Sequence, residues 1–234
     1  MSTGTLVVAL RAPSTAVGLP VLMAGVGQDP VADGWVQSLA RPGGNITGIS
    51  FVVPTLPAKR LAVMKEIYPG ATRFGLLNDA TAPTDRLKRE LEDAAREAGS
   101  ELLTYDVKDM LAVEEAFRGF AVARIPAVHV LLGAFTPTKM AEISMVASRH
   151  GIATSWGTPE AVRRGGLLAL GPDQIDLYRR VASYVDRILK GAKPGDLPVE
   201  RPEKFELIVN IKVAQAIGVT IPDAVLAQAT EVIR

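Results

Sequence analysis

Apolar runs of strand length alternate with segments of helical period along nearly the whole chain, and only short loops separate them. Gly18–Gly25 (GLPVLMAG) is apolar on both faces, as a buried parallel strand must be. Asn45–Val53, Arg73–Asn78, Glu101–Val107, Ala127–Gly133, Ile152–Trp156, Gly166–Gly171 and Phe205–Ile211 repeat the theme. Between them, helical spacing predicts helices over Pro57–Ile67, Thr84–Gly99, Asp109–Ala123, Pro137–His150 and Asp173–Lys190, then a short one stopped at Gly218 and a last one from Pro222. Thr84 is placed to cap its helix, with Leu87, Leu91, Ala94, Ala95 and Ala98 inward; Asp173–Lys190 is expected to bury Ile175, Tyr178, Val181, Ala182, Val185 and Ile188. Parallel strands need crossover helices, so this order implies an α/β fold: a Rossmann-like parallel sheet with helices on both faces.

Composition removes several functions. The 26 basic and 25 acidic side chains give a formal net charge of +1 and are dispersed, with no basic footprint for nucleic acid. There is no cysteine for a disulfide or thiolate metal site, and two histidines spaced for no metal. The sequence contains neither a phosphate-loop lysine after its glycines nor a dinucleotide fingerprint at Gly25–Gly27, where Gln28, Asp29 and Pro30 follow. No cofactor is implied. A Gly-x-Ser-x-Gly elbow is absent, and His129 in an apolar strand reads as a core histidine. The first twenty residues lack the pattern of an export signal, so the chain as written is expected in the cytoplasm.

In parallel sheets ligands bind at the carboxyl ends of the strands. That rule selects Asp29, the loop 78–84, the loop 133–136, Trp156–Glu160 and Gly171–Pro172. On loop position and residue chemistry, Asp29 is expected to hold a ligand amine. Asn78, Asp79 and Thr81 would offer hydrogen bonds, and Phe135 and Trp156 apolar walls. Asp29, Asp79 and Glu160 are the carboxylates whose convergence in a cleft would favour an enzyme on this sheet.

The stretches DPVADGWVQSLARPGGNITGIS (29–50), KRLAVMKEIYPGATRFGLLND (59–79) and GPDQIDLYRRVASYVDRILKGAKPGDLPVERPEKFELIVNIKVAQAIGVTIP (171–222) resemble the signature text of bacterial ABC-transporter substrate-binding proteins. The match runs from about Pro20 to the C-terminus. It implies a type I periplasmic-binding-protein-like fold, in which two Rossmann-like lobes joined by crossing strands trap a small ligand by hinge closure. No covalent chemistry is implied, and the partners would be an amino acid or similar metabolite and an ABC permease. On this likeness residues 1–44 are the remnant of lobe one and 45–168 are lobe two. Residues 169–195 return to lobe one, and 196–234 go back to lobe two. Pro42, Gly43, Gly44 and Asn45 form one hinge crossover, and Gly171 and Pro172 the other. Lobe two is complete and lobe one partial, with Thr5–Val17 keeping one strand and helix of it. The N-terminal part the family carries ahead of Gly18 is expected to be truncated, leaving an apolar face that a second copy would cover as a homodimer. The resemblance implies a periplasmic or cell-surface location. At Asn78–Pro83 the chain reads NDATAP where the family reads an NPxNP-like text. The alternatives are an intracellular ligand-sensing or regulatory module, a non-functional truncated receptor and, behind these, a Rossmann-like enzyme.

Overall fold

A computed structural model describes residues 7–9, 19–26, 29–53 and 55–234. In chain order its elements are β1 (Val7–Ala9), β2 (Val21–Val26), β3 (Ile46–Ser50), α1 (Leu56–Ile67), β4 (Arg73–Asp79), α2 (Asp85–Glu97), β5 (Glu101–Val107), α3 (Met110–Val122) and β6 (Ala127–Val130). There follow α4 (Met140–Arg149), β7 (Ala153–Trp156), α5 (Pro159–Arg163), β8 (Leu168–Pro172), α6 (Gln174–Leu189), β9 (Phe205–Asn210), α7 (Ile211–Ala216), α8 (Asp223–Gln228) and β10 (Glu231–Ile233). They form two compact units: Met1–Val53 with Pro172–Phe205, and Pro54–Gly171 with Glu206–Arg234. The helix expected within residues 10–17 lies outside the described residues, as does Gly27 of the glycine pair.

The first unit carries a three-stranded sheet, β1-β2-β3, with both pairings parallel. Leu22, Ala24 and Ile49 pack against Leu177, Val181, Tyr184 and Ile188 of α6. Asp173 starts that helix by accepting the N–H groups of Ile175 and Asp176 at 2.9 and 3.0 Å. Its inward face differs from the expected one: Ile175 and Tyr178 are 65% and 55% exposed, and Ala182 is exposed too. The helix bears two apolar stripes, and periodicity cannot choose between them. The stripe that faces the sheet is Leu177, Val181, Tyr184 and Ile188, and the Tyr184 hydroxyl donates to the Pro198 carbonyl at 2.6 Å.

The unit boundaries also differ from those expected. β3 pairs with β2, in register from Val21↔Ile46, so residues 45–53 belong with the first unit rather than opening the second. Pro42, Gly43, Gly44 and Asn45 are therefore an internal loop and not a crossover. Gly43, at φ 75°, donates its N–H to the Gly195 carbonyl, and the Asn45 amide donates to the Leu19 carbonyl at 2.6 Å. Residues 196–205 stay here as well, because Glu200 exchanges backbone hydrogen bonds with Gly48 and Ser50 alongside β3. The chain passes between units after Val53, at Gly171–Pro172 and after Phe205.

The second unit holds a seven-stranded sheet in the order β10-β9-β8-β7-β6-β4-β5, with parallel pairing at β10–β9, β8–β7, β7–β6, β6–β4 and β4–β5. Alternate residues feed two cores, as strand geometry requires. Val128, Val130 and Trp156 join Phe117, Phe120 and Ile143 of α3 and α4. Ala127, Ala153 and Leu168 join Leu61 and Met64 of α1, Ala214 of α7 and Val225 of α8. Thr84 precedes α2 but makes no side-chain cap, its backbone being helical rather than extended at φ −101° and ψ 0°, and its hydroxyl donates to Asn78 Oδ1. Ala98, expected inward, is exposed. The expected helix over Pro137–His150 divides into a 3₁₀ turn, Thr136–Lys139, and α4. The helix from Pro222 is short, and β10 follows it, its approach fixed where Thr230 N–H meets the Leu207 carbonyl at 2.8 Å.

Candidate functional site

At the carboxyl end of the second unit's sheet, β4 runs out at Asp79, β6 leads into the loop 131–135, and β7 ends at Trp156 beside β8. Asp79 is fully buried. Its Oδ1 accepts the Thr81 N–H at 2.9 Å and the Thr81 hydroxyl at 2.5 Å. Its Oδ2 accepts the backbone N–H of Phe135 at 2.9 Å and of Thr136 at 2.7 Å, with the Thr136 hydroxyl 3.1 Å away. That hydroxyl also lies 2.8 Å from the Leu131 carbonyl and donates its single proton to one of the two acceptors. Burial by itself would raise the Asp79 pKa. The Thr81 side chain and the backbone N–H groups of Thr136, Thr81 and Phe135 outweigh that and hold it below its ordinary value. Gly133 is required here, since a Cβ on it would stand 2.3 Å from the Asp79 carboxyl carbon.

Each expected ligand contact can now be placed. Asp79 is saturated by its own loops and acts as a clasp between β4 and the loop after β6. Asn78 is buried and engaged on both sides, donating to Asp106 Oδ1 at 2.7 Å and accepting the Thr84 hydroxyl at 2.7 Å. Thr81 is exposed and Phe135 half-buried, so the clasp presents these two at the rim. Trp156 is 0% exposed and packed in the core on the α3–α4 side, so it offers no wall to a ligand. Asp29, in the first unit, accepts the N–H groups of Val31 and Ala32 in the turn that it opens. Glu160 pairs with Arg164 at 2.7 Å. The acidic set an enzyme would need is thus spent separately: Asp79 in its clasp, Glu160 on its own helix and Asp29 in a turn. Among the described residues no three His, Cys, Asp or Glu side chains group to hold a metal.

Two residues at this end were not singled out in advance. Thr136 completes the clasp. Arg60 lies on the α1 side, where its Nε donates to the Leu170 carbonyl at 2.8 Å. Burial pulls its guanidinium down to about 10. Its charge and, first, burial hold the His129 imidazole well below the ordinary histidine value. His129 is neutral in the core, its Nδ1 3.2 Å from the Ser155 hydroxyl. Signals for both were present. Leu56, Arg60, Met64 and Ile67 share one helical stripe, and Thr136 directly follows the loop already selected. A cavity of about 10 Å³ between Arg60, Met64, Gly75 and His129 has room for a water at most.

The model of the family described as ABC transporter substrate binding protein matches residues 2–233. A tyrosine-binding protein of Clostridioides difficile (strain R20291) is 26% identical over 193 residues, covering 82% of this chain. The chain spans 55% of that relative's length. The solved ABC domain from Streptococcus pneumoniae in complex with L-Trp superposes with a TM-score of 0.82 at 27% identity, over 92% of this chain and 72% of that one. A conserved domain protein from Vibrio cholerae O1 biovar El Tor gives 0.83 at 27% identity, over 92% and 71%. These folds are type I periplasmic-binding-protein-like, and substrate-binding proteins are a non-enzymatic family.

Proposed function

Because this chain belongs to the family of ABC transporter substrate-binding proteins, we propose that it captures an amino acid with an aromatic side chain outside the cytoplasm and delivers it to an ABC permease. The single observation that carries the choice of site is the Asp79 clasp. It fixes Thr81 and Phe135 at the carboxyl rim of the second unit's sheet, where parallel sheets bind ligands. Thr81, its hydroxyl proton committed to Asp79, offers its remaining lone pair to a ligand donor such as an ammonium, and Phe135 offers an aromatic face for a ring. A tyrosine-binding relative and an L-Trp complex support the ligand class. Transport follows from family membership, and the mechanism is closure of the two units about Gly171–Pro172 and the other two connections, with ligand favouring the closed state. Among the described residues no helix is long and apolar enough to cross a membrane.

Titration calorimetry with L-Trp, L-Tyr, L-Phe and L-Leu tests the proposal. Micromolar binding of an aromatic member, about 8 kcal/mol, with weaker binding of L-Leu, is the expected result. Heats indistinguishable from dilution for all four at millimolar ligand would overturn it.

A further inference from the structure

Arg60 pairs with no carboxylate among the described residues. It sits on the buried stripe of α1 between Leu56 and Met64, and its guanidinium reaches the ends of β7 and β8. Nε is spent on the Leu170 carbonyl at 2.8 Å. A Cβ on Gly157 would lie 3.0 Å from Nη2 and 3.3 Å from Cζ, so the guanidinium occupies the space a side chain at 157 would need. Gly171 closes on the same spot, since its own Cβ would fall 2.2 Å from the Gly157 carbonyl oxygen. The two terminal nitrogens make no hydrogen bond to any described residue, and neither is among the sealed, unpartnered buried atoms, so both reach accessible space. The nearby titratable group, His129, is neutral and supplies no counter-charge. Among the described residues nothing acidic offsets the burial of the cation.

Keeping a half-buried guanidinium without a counter-ion is costly when an apolar side chain of similar length would fill the same stripe. With Nε occupied, the geometry left to the group is its end-on fork, Nη1 and Nη2 side by side, which matches the two oxygens of a carboxylate. We infer that Arg60 receives the α-carboxylate of the amino-acid ligand in a bidentate pair, with the glycine at 157 leaving the guanidinium the room it occupies. This rests on the function proposed above and adds the residue that distinguishes an amino acid from the corresponding amine.

The test compares L-Trp with tryptamine, which has the same side chain and amine but no carboxylate, on the wild-type chain and on Arg60→Met and Arg60→Lys. The wild type is expected to prefer L-Trp by roughly 10- to 100-fold, the range of a charge-assisted pair. Arg60→Met should bind both alike with unchanged tryptamine affinity, and Arg60→Lys should recover part of the preference. A folded Arg60→Met or Arg60→Lys chain that keeps the full wild-type preference overturns the inference. A second readout needs no variant and no amino acid: the guanidinium ¹H–¹⁵N signals of Arg60 in ¹⁵N-arginine-labelled wild-type chain, titrated with sodium acetate. Saturable movement of the Nη signals supports a carboxylate site at Arg60 even if every amino acid fails to bind, in which case the functional proposal alone falls. Nη signals that stay fixed to high acetate overturn the inference while leaving the functional proposal to its calorimetry.

Discussion

Asp79 Oδ2 accepts the Thr136 backbone N–H at 2.7 Å, so a carboxylate with no solvent exposure ties the end of β4 to the turn that follows β6. The two strands are neighbours in the sheet, and beyond the bond from the Leu131 N–H to the Leu77 carbonyl their exit loops are joined by this carboxylate and by the Phe135 N–H, which also reaches the Thr81 hydroxyl at 3.1 Å. The rim of the sheet is therefore shaped by one acidic residue, and its role is mechanical before it is chemical.

Removing that carboxylate should be expensive. Asp79→Ala leaves the N–H groups of Thr81 and Thr136 without their acceptor, and that of Phe135 with only the Thr81 hydroxyl at 3.1 Å, at an expected cost of about 2–4 kcal/mol. Gly133→Ala, which drives a methyl into the same carboxylate, should cost about 1–3 kcal/mol. Urea midpoints at pH 7 read both. Because the folded Asp79 pKa is depressed, its contribution is present above the unfolded carboxylate pKa near 4 and is lost as pH falls through the folded value. The wild type should thus lose more stability than Asp79→Asn on acidification from pH 5 to pH 3.

His129 predicts a separate acid response, at higher pH. Burial, then the Arg60 charge, keeps it neutral in the folded chain, while the unfolded chain takes up a proton below about pH 6.5. The unfolded state binds more protons there, so stability should decline from pH 7.5 to pH 5.5. Histidine ring signals should show one residue that does not titrate across this range, and His129→Asn should flatten the decline.

On α6 the two apolar stripes separate cleanly by mutation. Leu177→Ala removes a side chain that is 3% exposed and should cost about 2–4 kcal/mol. Ile175→Ala, at a position 65% exposed, should stay within about 0.5 kcal/mol. Equal effects would mean that the wrong stripe has been placed against the sheet.

Trp156 should behave as a core residue. Its indole N–H has no partner, so Trp156→Phe gives up no hydrogen bond and should cost no more than about 2 kcal/mol. Ligand affinity should remain within about threefold, because the side chain is fully buried within the core that holds Phe117, Phe120 and Ile143. A large affinity loss at unchanged stability would return it to the binding surface.

Much of this architecture could be read from the residues, for physical reasons that also mark where the reading stops. Continuous apolar runs such as Phe74–Leu77 can only be strands buried on both faces, and β4 is one. The α/β class and the parallel sheet follow from the spacing of such runs. β10 escaped because three residues, Glu231–Ile233, are too few to show a period. The loop 42–45 was misplaced as a crossover because a Pro-Gly-Gly turn looks the same wherever it leads. Only the pairing of Ile46 with Val21 tells that β3 stays in the first unit.

At the site, loop position found Asp79, Thr81 and Phe135, since strand ends are visible in sequence. Whether a carboxylate faces a ligand or its own backbone is decided by contacts across 57 positions, from Asp79 to Thr136, which no local pattern encodes. Trp156 failed for a related reason: the last residue of a strand faces either core or rim according to a register of one. Arg60 was hidden by its type, because an arginine on a helix is ordinarily a solvated one.

Native mass spectrometry tests the central claim most directly. After the chain is mixed with L-Trp, L-Tyr and L-Leu together, the spectrum should show the chain plus the mass of one aromatic amino acid. That increment should vanish when the same sample is sprayed denatured. A chain that stays bare at millimolar concentrations of all three would contradict the claim that it is an amino-acid receptor.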